Sequence, residues 1–336
     1  MKTVSHFFGR RSLLAALCVW LPVALAYGQD PIPNRVPAPQ AAYKISAEVD
    51  TAQGWRRGGA GTLNFSQVSL SNWAPGGQSS LSLLGLGNIY AHYREDKHSV
   101  DLAGNLIYGL LKAGKSRVRK NDDRLELNAR YARNFAPKWS YAGQLNLKTQ
   151  LTPTNDIVRT DSLLSKFFAP AYILASLGFE YKPNDDFSLF LSPVTGKFTV
   201  VADQALADAG AFGVRAARLG SDGRPVAGTG ERLREELGAY INARYRRPLL
   251  PNITYQTRLE LFSNYAHNPQ NVDVNWENLL DFKVNKFFSA SVATTLVYDD
   301  DILVPLNVDE QNGDPTARGR RIQFKETLGI GLTYKF

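Results

Sequence analysis

The last sixteen residues, Arg321-Ile322-Gln323-Phe324-Lys325-Glu326-Thr327-Leu328-Gly329-Ile330-Gly331-Leu332-Thr333-Tyr334-Lys335-Phe336, decide the fold. Ile322, Phe324, Leu328, Ile330, Leu332, Tyr334 and Phe336 share one phase. Arg321, Gln323, Lys325, Thr327, Gly329, Gly331, Thr333 and Lys335 share the other, and only Glu326 breaks the apolar phase. Successive side chains of an extended strand point to opposite faces, so this segment reads as a strand with one greasy and one polar face.

The same period recurs upstream. Val272, Val274, Trp276, Leu280, Phe282 and Val284 oppose Asp273, Asn275, Glu277, Asp281, Lys283 and Asn285. Ile253, Tyr255, Leu259, Leu261 and Tyr265 oppose Thr254, Gln256, Arg258, Glu260 and Asn264. Leu125, Leu127, Ala129 and Tyr131 oppose Arg124, Glu126, Asn128 and Arg130, and Trp139 to Leu147 repeats the pattern against Ser140, Gln144, Asn146 and Lys148. A soluble sandwich alternates too. Three features favour a membrane barrel: charges sit mid-strand on the polar face, aromatics gather near strand ends in the apolar phase, and short and long connections alternate.

These features predict an all-β fold, a transmembrane antiparallel up-and-down β-barrel of about twelve strands, at 61–70, 79–94, 98–112, 122–134, 138–151, 169–182, 186–202, 233–247, 252–266, 271–286, 288–300 and 320–336. The expected tight turns are Glu95-Asp96-Lys97, Phe135-Ala136-Pro137, Pro183-Asn184-Asp185, Pro248 to Pro251, and Phe287. Short turns and both chain ends then face the periplasm, and closure removes edges that lipid cannot solvate. Pro193 and Gly196 interrupt segment 186–202, which reads as one kinked strand or as a hairpin.

The N-terminus has the layout of a secretory signal over residues 1–28. Lys2, Arg10 and Arg11 precede the apolar run from Ser12 to Ala26, and cleavage is expected after Ala26 or after Gly28. A Pro-rich periplasmic segment fills 29–57, and 58–336 is the barrel. The outer membrane is the expected location. The single cysteine, Cys18, falls in the signal, which leaves a mature chain without disulfide, thiol nucleophile or cysteine-ligated metal. Removing the three basic residues of the signal lowers the formal net charge from +8 to +5. With no dense Lys/Arg patch, nucleic acid is not an expected partner. Outer-membrane lipids are, with a small solute if the lumen is open.

Gly58 to Gln78 (GGAGTLNFSQVSLSNWAPGGQ) resembles the opening motif of an uncharacterised bacterial outer-membrane family known only as a domain of unknown function. Tyr181 to Asp185 with Leu191-Ser192-Pro193, Leu206 to Gly213, Val272 to Glu277 and Tyr298 to Asp301 extend the resemblance over nearly all of the mature chain. It implies the same barrel architecture and supplies neither activity nor catalytic residues. Arg215 to Arg232 looks longer than the family's usual loop. Leu332, Tyr334 and Phe336 resemble the terminal strand read by the barrel-assembly machinery, which is therefore an expected partner.

No catalytic residue, metal site or cofactor is expected. His92 lies in the lumen phase, but the sequence sets no serine beside it. The acidic run Asp299-Asp300-Asp301, with Asp309 and Glu310, reads as a solvated loop start more readily than as a calcium site. Gly58-Gly59-Ala60-Gly61 lacks the lysine of a phosphate loop. Arg130, Lys148, Arg244, Arg258, Glu260, Asp281 and Lys283 are the lumen-lining candidates. They point to a narrow, porin-like passage for small solutes. The alternatives are a filled, partner-binding barrel acting through its outer loops, and a lipid-acting barrel enzyme.

Overall fold

The computed structural model describes residues 53–69, 79–156, 162–285, 287–301, 304–308 and 315–335. The signal segment, the Pro-rich segment up to residue 52, Leu70 to Gln78, Asp309, Glu310 and Phe336 lie outside the described residues. The strands are β1 (Gly54–Val68), β2 (Ser80–Glu95), β3 (His98–Ala113), β4 (Arg119–Ala136), β5 (Trp139–Thr149), β6 (Thr154–Asp156), β7 (Ser162–Ser165), β8 (Ala171–Tyr181), β9 (Phe187–Val200), β10 (Leu233–Leu250), β11 (Ile253–Asn264), β12 (Val272–Lys283), β13 (Phe288–Tyr298), β14 (Val304–Val308), β15 (Pro315–Gly319) and β16 (Gln323–Lys335).

Twelve of them close an antiparallel barrel in the order β1-β16-β13-β12-β11-β10-β9-β8-β5-β4-β3-β2. β6 with β7, and β14 with β15, form separate hairpins in the long connections. The barrel is apolar outside and largely polar within, apart from a small buried apolar cluster of Ala132, Ala142, Phe190, Tyr240 and Phe262. Leu145, Trp276, Phe324 and Ile330 are exposed, Leu328 is 75% exposed, and Arg124, Glu126, Asn242 and Glu277 are buried. A soluble sandwich would bury the first set, so the alternation is that of an inside-out barrel. Rings pair on the outer wall near the short turns, Trp55 with Tyr93 and Trp139 with Tyr181, at centroid distances of 5.1 and 4.8 Å.

The short connections hold where turn chemistry allows. Asp96 and Lys138 adopt left-handed φ of 46° and 68°, and Asn184 and Asn285 side chains accept from the backbone two and three residues on. Several boundaries differ from expectation. β4 runs on through Phe135 and Ala136, which the sequence pattern places in the turn. β1 begins at Gly54, where residues 54–57 pair with Ala91 to Arg94 of β2. Pro248 belongs to β10 rather than to a turn. The register shifts between Pro248 and Leu250, and a bulge at a strand end tolerates a residue with no N–H.

β9 is one kinked strand. Its register shifts against β8 between Leu177 and Phe179, and against β10 between Gly238 and Tyr240, on either side of Pro193. Glycine at 178 lets β8 close on the kink, and glycine at 238 lets β11 close on β10 beside it. A Cβ at Gly178 would stand 2.1 Å from Leu191 O, and one at Gly238 would stand 2.0 Å from Ser263 O.

The long connection 201–232 is folded. Ala169, Val201, Leu206, Ala207 and Val214 form a small apolar core with Leu163 and Phe212 packed on it. Helix α1 (Gln204–Asp208) is capped by Asp203, which accepts from Leu206 N at 3.0 Å and from Lys166 Nζ at 2.6 Å. Asp208 accepts from the backbone N–H groups of Gly228 (2.7 Å) and Gly230 (2.8 Å), tying the return of the loop to the helix. The Lys166 ammonium beside Asp203, and the backbone donors on Asp208, hold both carboxyls below the ordinary aspartate value.

Candidate functional site

The polar phase of β4, β5, β10, β11 and β12 meets in the middle of the lumen. Glu126 on β4 is 0% exposed. Its Oε1 accepts from Asn146 Nδ2 at 2.9 Å, Asn128 Nδ2 at 3.3 Å and Arg258 Nη1 at 3.3 Å. Arg258 stands on β11, nearly opposite β4, with four strands intervening on one side and six on the other. It also meets Glu260 Oε2 at 3.4 Å and Glu277 Oε2 at 3.3 Å. Arg124, buried on β4, reaches Glu277 Oε1 on β12 at 3.5 Å. Five strands separate β4 from β12 in either direction, so this pair spans the diameter.

Lys148 on β5 adds a third crossing to Glu260 at 3.2 Å. Tyr240 Oη donates to Glu260 Oε1 at 2.6 Å, and Asn275 Nδ2 to its Oε2 at 2.8 Å. Three cations (Arg124, Lys148, Arg258) thus balance three carboxylates (Glu126, Glu260, Glu277). Buried charges persist only when paired and hydrogen-bonded, and removing one partner of such a pair costs about 3–5 kcal/mol. The layer therefore braces opposite walls of the barrel.

Below the layer a cavity of about 690 Å³ opens at the short-turn end, with Arg130, Gln144, Asn242, Arg244 and Arg246 in its wall. Arg130 pairs with Asp101 and Glu180, and Asp101 also binds His92 Nδ1 at 2.7 Å. His92 Nε2 is buried and makes no hydrogen bond among the described residues, so no hydroxyl nucleophile is joined to it. Above the layer, Lys197 sits between Asp273 (2.6 Å), Asp299 (3.6 Å) and Glu236 (3.7 Å).

The sequence candidates distribute over these levels. Lys148, Arg258 and Glu260 are in the bracing layer. Arg130 and Arg244 line the cavity, where Arg244 Nε donates to Asn242 Oδ1 at 3.1 Å. Asp281 shares the phase of Glu277 but stands outside the cavity wall, and Lys283 is exposed at the end of β12. Glu126, Arg124, Glu277 and Tyr240 were not singled out from the sequence, although their strand phase contained the signal. At the loop start formed by the acidic run, Asp301 is exposed, Asp299 and Asp300 are half-buried, and no metal cluster occurs among the described residues. Asp299 faces Lys197, Asp300 faces Arg320 at 3.2 Å, and Asp301 faces Arg234. Leu332 and Tyr334 project outward and are exposed.

A family of proteins of unknown function (DUF3078) matches residues 65–154, little more than a quarter of the chain. No curated protein matches. Among solved structures, an outer-membrane channel from Pseudomonas putida F1 is 11% identical, with 85% of this chain and 97% of that chain covered, at a TM-score of 0.39. The translocator domain of the autotransporter NalP from Neisseria meningitidis is 9% identical over 86% and 90%, at 0.35. The outer-membrane channel DcaP of Acinetobacter baumannii is 9% identical over 84% and 96%, at 0.28. Two of the three are outer-membrane channels. At this identity and similarity all three are neighbours in architecture only.

Proposed function

We propose that the protein is an outer-membrane barrel forming a narrow passage for small polar solutes, held shut at mid-height by the bracing layer. The observation that carries this reading is the Arg258–Glu126 contact between opposite walls, directly above a polar cavity open at one end. The greasy outer wall fits a bilayer, and the short turns and both ends of the barrel chain lie on what we read as the periplasmic side. Leu332 and Tyr334, with Phe336, then serve as the strand read by the assembly machinery.

Solute flux in vesicles tests this. The refolded chain should leak no faster than empty lipid, and Arg124→Ala with Arg258→Ala should raise ion flux at least tenfold. An inserted, folded double variant that stays tight favours the second reading, a filled barrel acting through its outer loops. The folded connection 201–232 speaks for that reading.

A further inference from the structure

We infer that the seam between β1 and β16 is a docking edge for an extended segment of another polypeptide, one that carries apolar residues on either side of a lysine or arginine. The inference rests on the outer-membrane reading above. Every other neighbouring pair of barrel strands is joined over at least ten residues, whereas β1 and β16 pair over five, from Ala60↔Lys335 to Asn64↔Gly331. Both strands run on past that point. Residues 65–68 stay paired with β2, and residues 327–330, which would face them in the same register, stay paired with β13, but the two stretches do not pair with each other.

The sequence explains the parting. Leu63 and Phe65 face outward and exposed. Continuing that phase would give the lipid Gln67 and then Ser69. The seam ends where the apolar pattern of β1 ends.

Two strand edges facing a bilayer with unpaired N–H and C=O groups are costly, because lipid offers nothing to bond them. An acyl chain filling the gap would leave that cost standing. An extended backbone would remove it, as in strand addition generally. The second observation is Glu326. It lies in the outward phase of β16 where that strand is unpaired with β1, between Phe324 and Leu328, is exposed, and has no ion-pair or hydrogen-bond partner among the described residues. A lone carboxylate on a lipid-facing wall calls for a cation. A strand added to this edge would set its own outward residue across from Glu326. Its neighbours two positions away on either side would lie in lipid beside Phe324 and Leu328. Hence the pattern apolar, any, basic, any, apolar.

The test uses the full chain refolded in lipid vesicles and a fluorescent nine-residue peptide of alternating leucine and threonine with a central lysine. A peptide with central glutamate is the control. The lysine peptide should bind at least tenfold more tightly than the glutamate peptide, and Glu326→Lys should reverse the order. Cys18 is the only native cysteine, so Cys18→Ala permits stapling. Ser66→Cys with Gly329→Cys, which would face each other if the ladder continued, should resist disulfide formation. Thr62→Cys with Thr333→Cys, whose native hydroxyls lie 3.0 Å apart, should form it readily. Forcing the first staple should abolish peptide binding. Inserted protein that binds neither peptide, binds both alike, or binds equally when stapled overturns the inference. So does a seam-to-seam dimer formed without peptide, which would make the occupant a second copy. Failure to insert at all would instead sink the outer-membrane reading.

Discussion

Arg258 Nη1 on β11 lies 3.3 Å from Glu126 Oε1 on β4, 132 residues earlier in the chain and almost across the barrel. The pair ties two walls that no strand ladder connects. The barrel therefore has two kinds of cohesion: backbone pairing around its circumference and ion pairing through its lumen.

The stability of the braces follows from the cost of orphaned charge. Arg258→Ala leaves Glu126, Glu260 and Glu277 without their shared cation and should lower unfolding stability by about 3–5 kcal/mol. Adding Glu126→Gln to Arg258→Ala should recover part of that loss, because a neutral amide is cheaper to bury alone. Denaturant titration of the refolded protein in lipid checks both. Additive losses from the two changes would show that they are not coupled.

Two glycines on the strands around the kink in β9 should be intolerant of side chains, Gly178 facing β9 and Gly238 facing β11. Gly178→Ala and Gly238→Ala each drive a methyl against a backbone oxygen that cannot swing aside. Each should cost about 1–3 kcal/mol by the same titration, whereas Gly61→Ala, whose Cβ meets nothing within 4 Å, should be nearly silent.

Acid should loosen the folded loop before the barrel. Asp203 and Asp208 are held below the ordinary aspartate value by Lys166 and by backbone donors, respectively. A depressed carboxyl stabilises above its unfolded value and loses that contribution as pH falls through the folded value. Protease cleavage within 201–232 should stay slow above roughly pH 4 and quicken below it. Asp208→Asn should raise cleavage several-fold at neutral pH, where the wild-type loop is closed.

Much of this barrel is legible in sequence because its signal is local. The apolar phase of Phe324, Leu328, Ile330 and Leu332 is a property of one strand, and twelve repeats of it fix the class. The start of β1 was not legible. Gly54-Trp55-Arg56-Arg57 has the polar look of a tail, and only pairing with β2 makes it a strand. The centre of the lumen was legible by phase and not by partner. Arg258 and Glu260 fall on the wet face by counting, but their bonds to Glu126 and Lys148 depend on which strands close opposite one another. The same holds for Asp299, Asp300 and Asp301, whose cations arrive from β9, β10 and the residue after β15. The apolar core of 201–232 escaped because its members come from three separate stretches around 163–169, 201–207 and 211–214.

Single-channel conductance in planar bilayers tests the shut lumen most directly. Wild-type protein, shown by detergent-resistant mobility to be folded, should give no sustained openings, and the Arg124→Ala, Arg258→Ala double variant should give discrete ones. Large, steady openings from the wild type would contradict a lumen closed by Arg258 and Glu126.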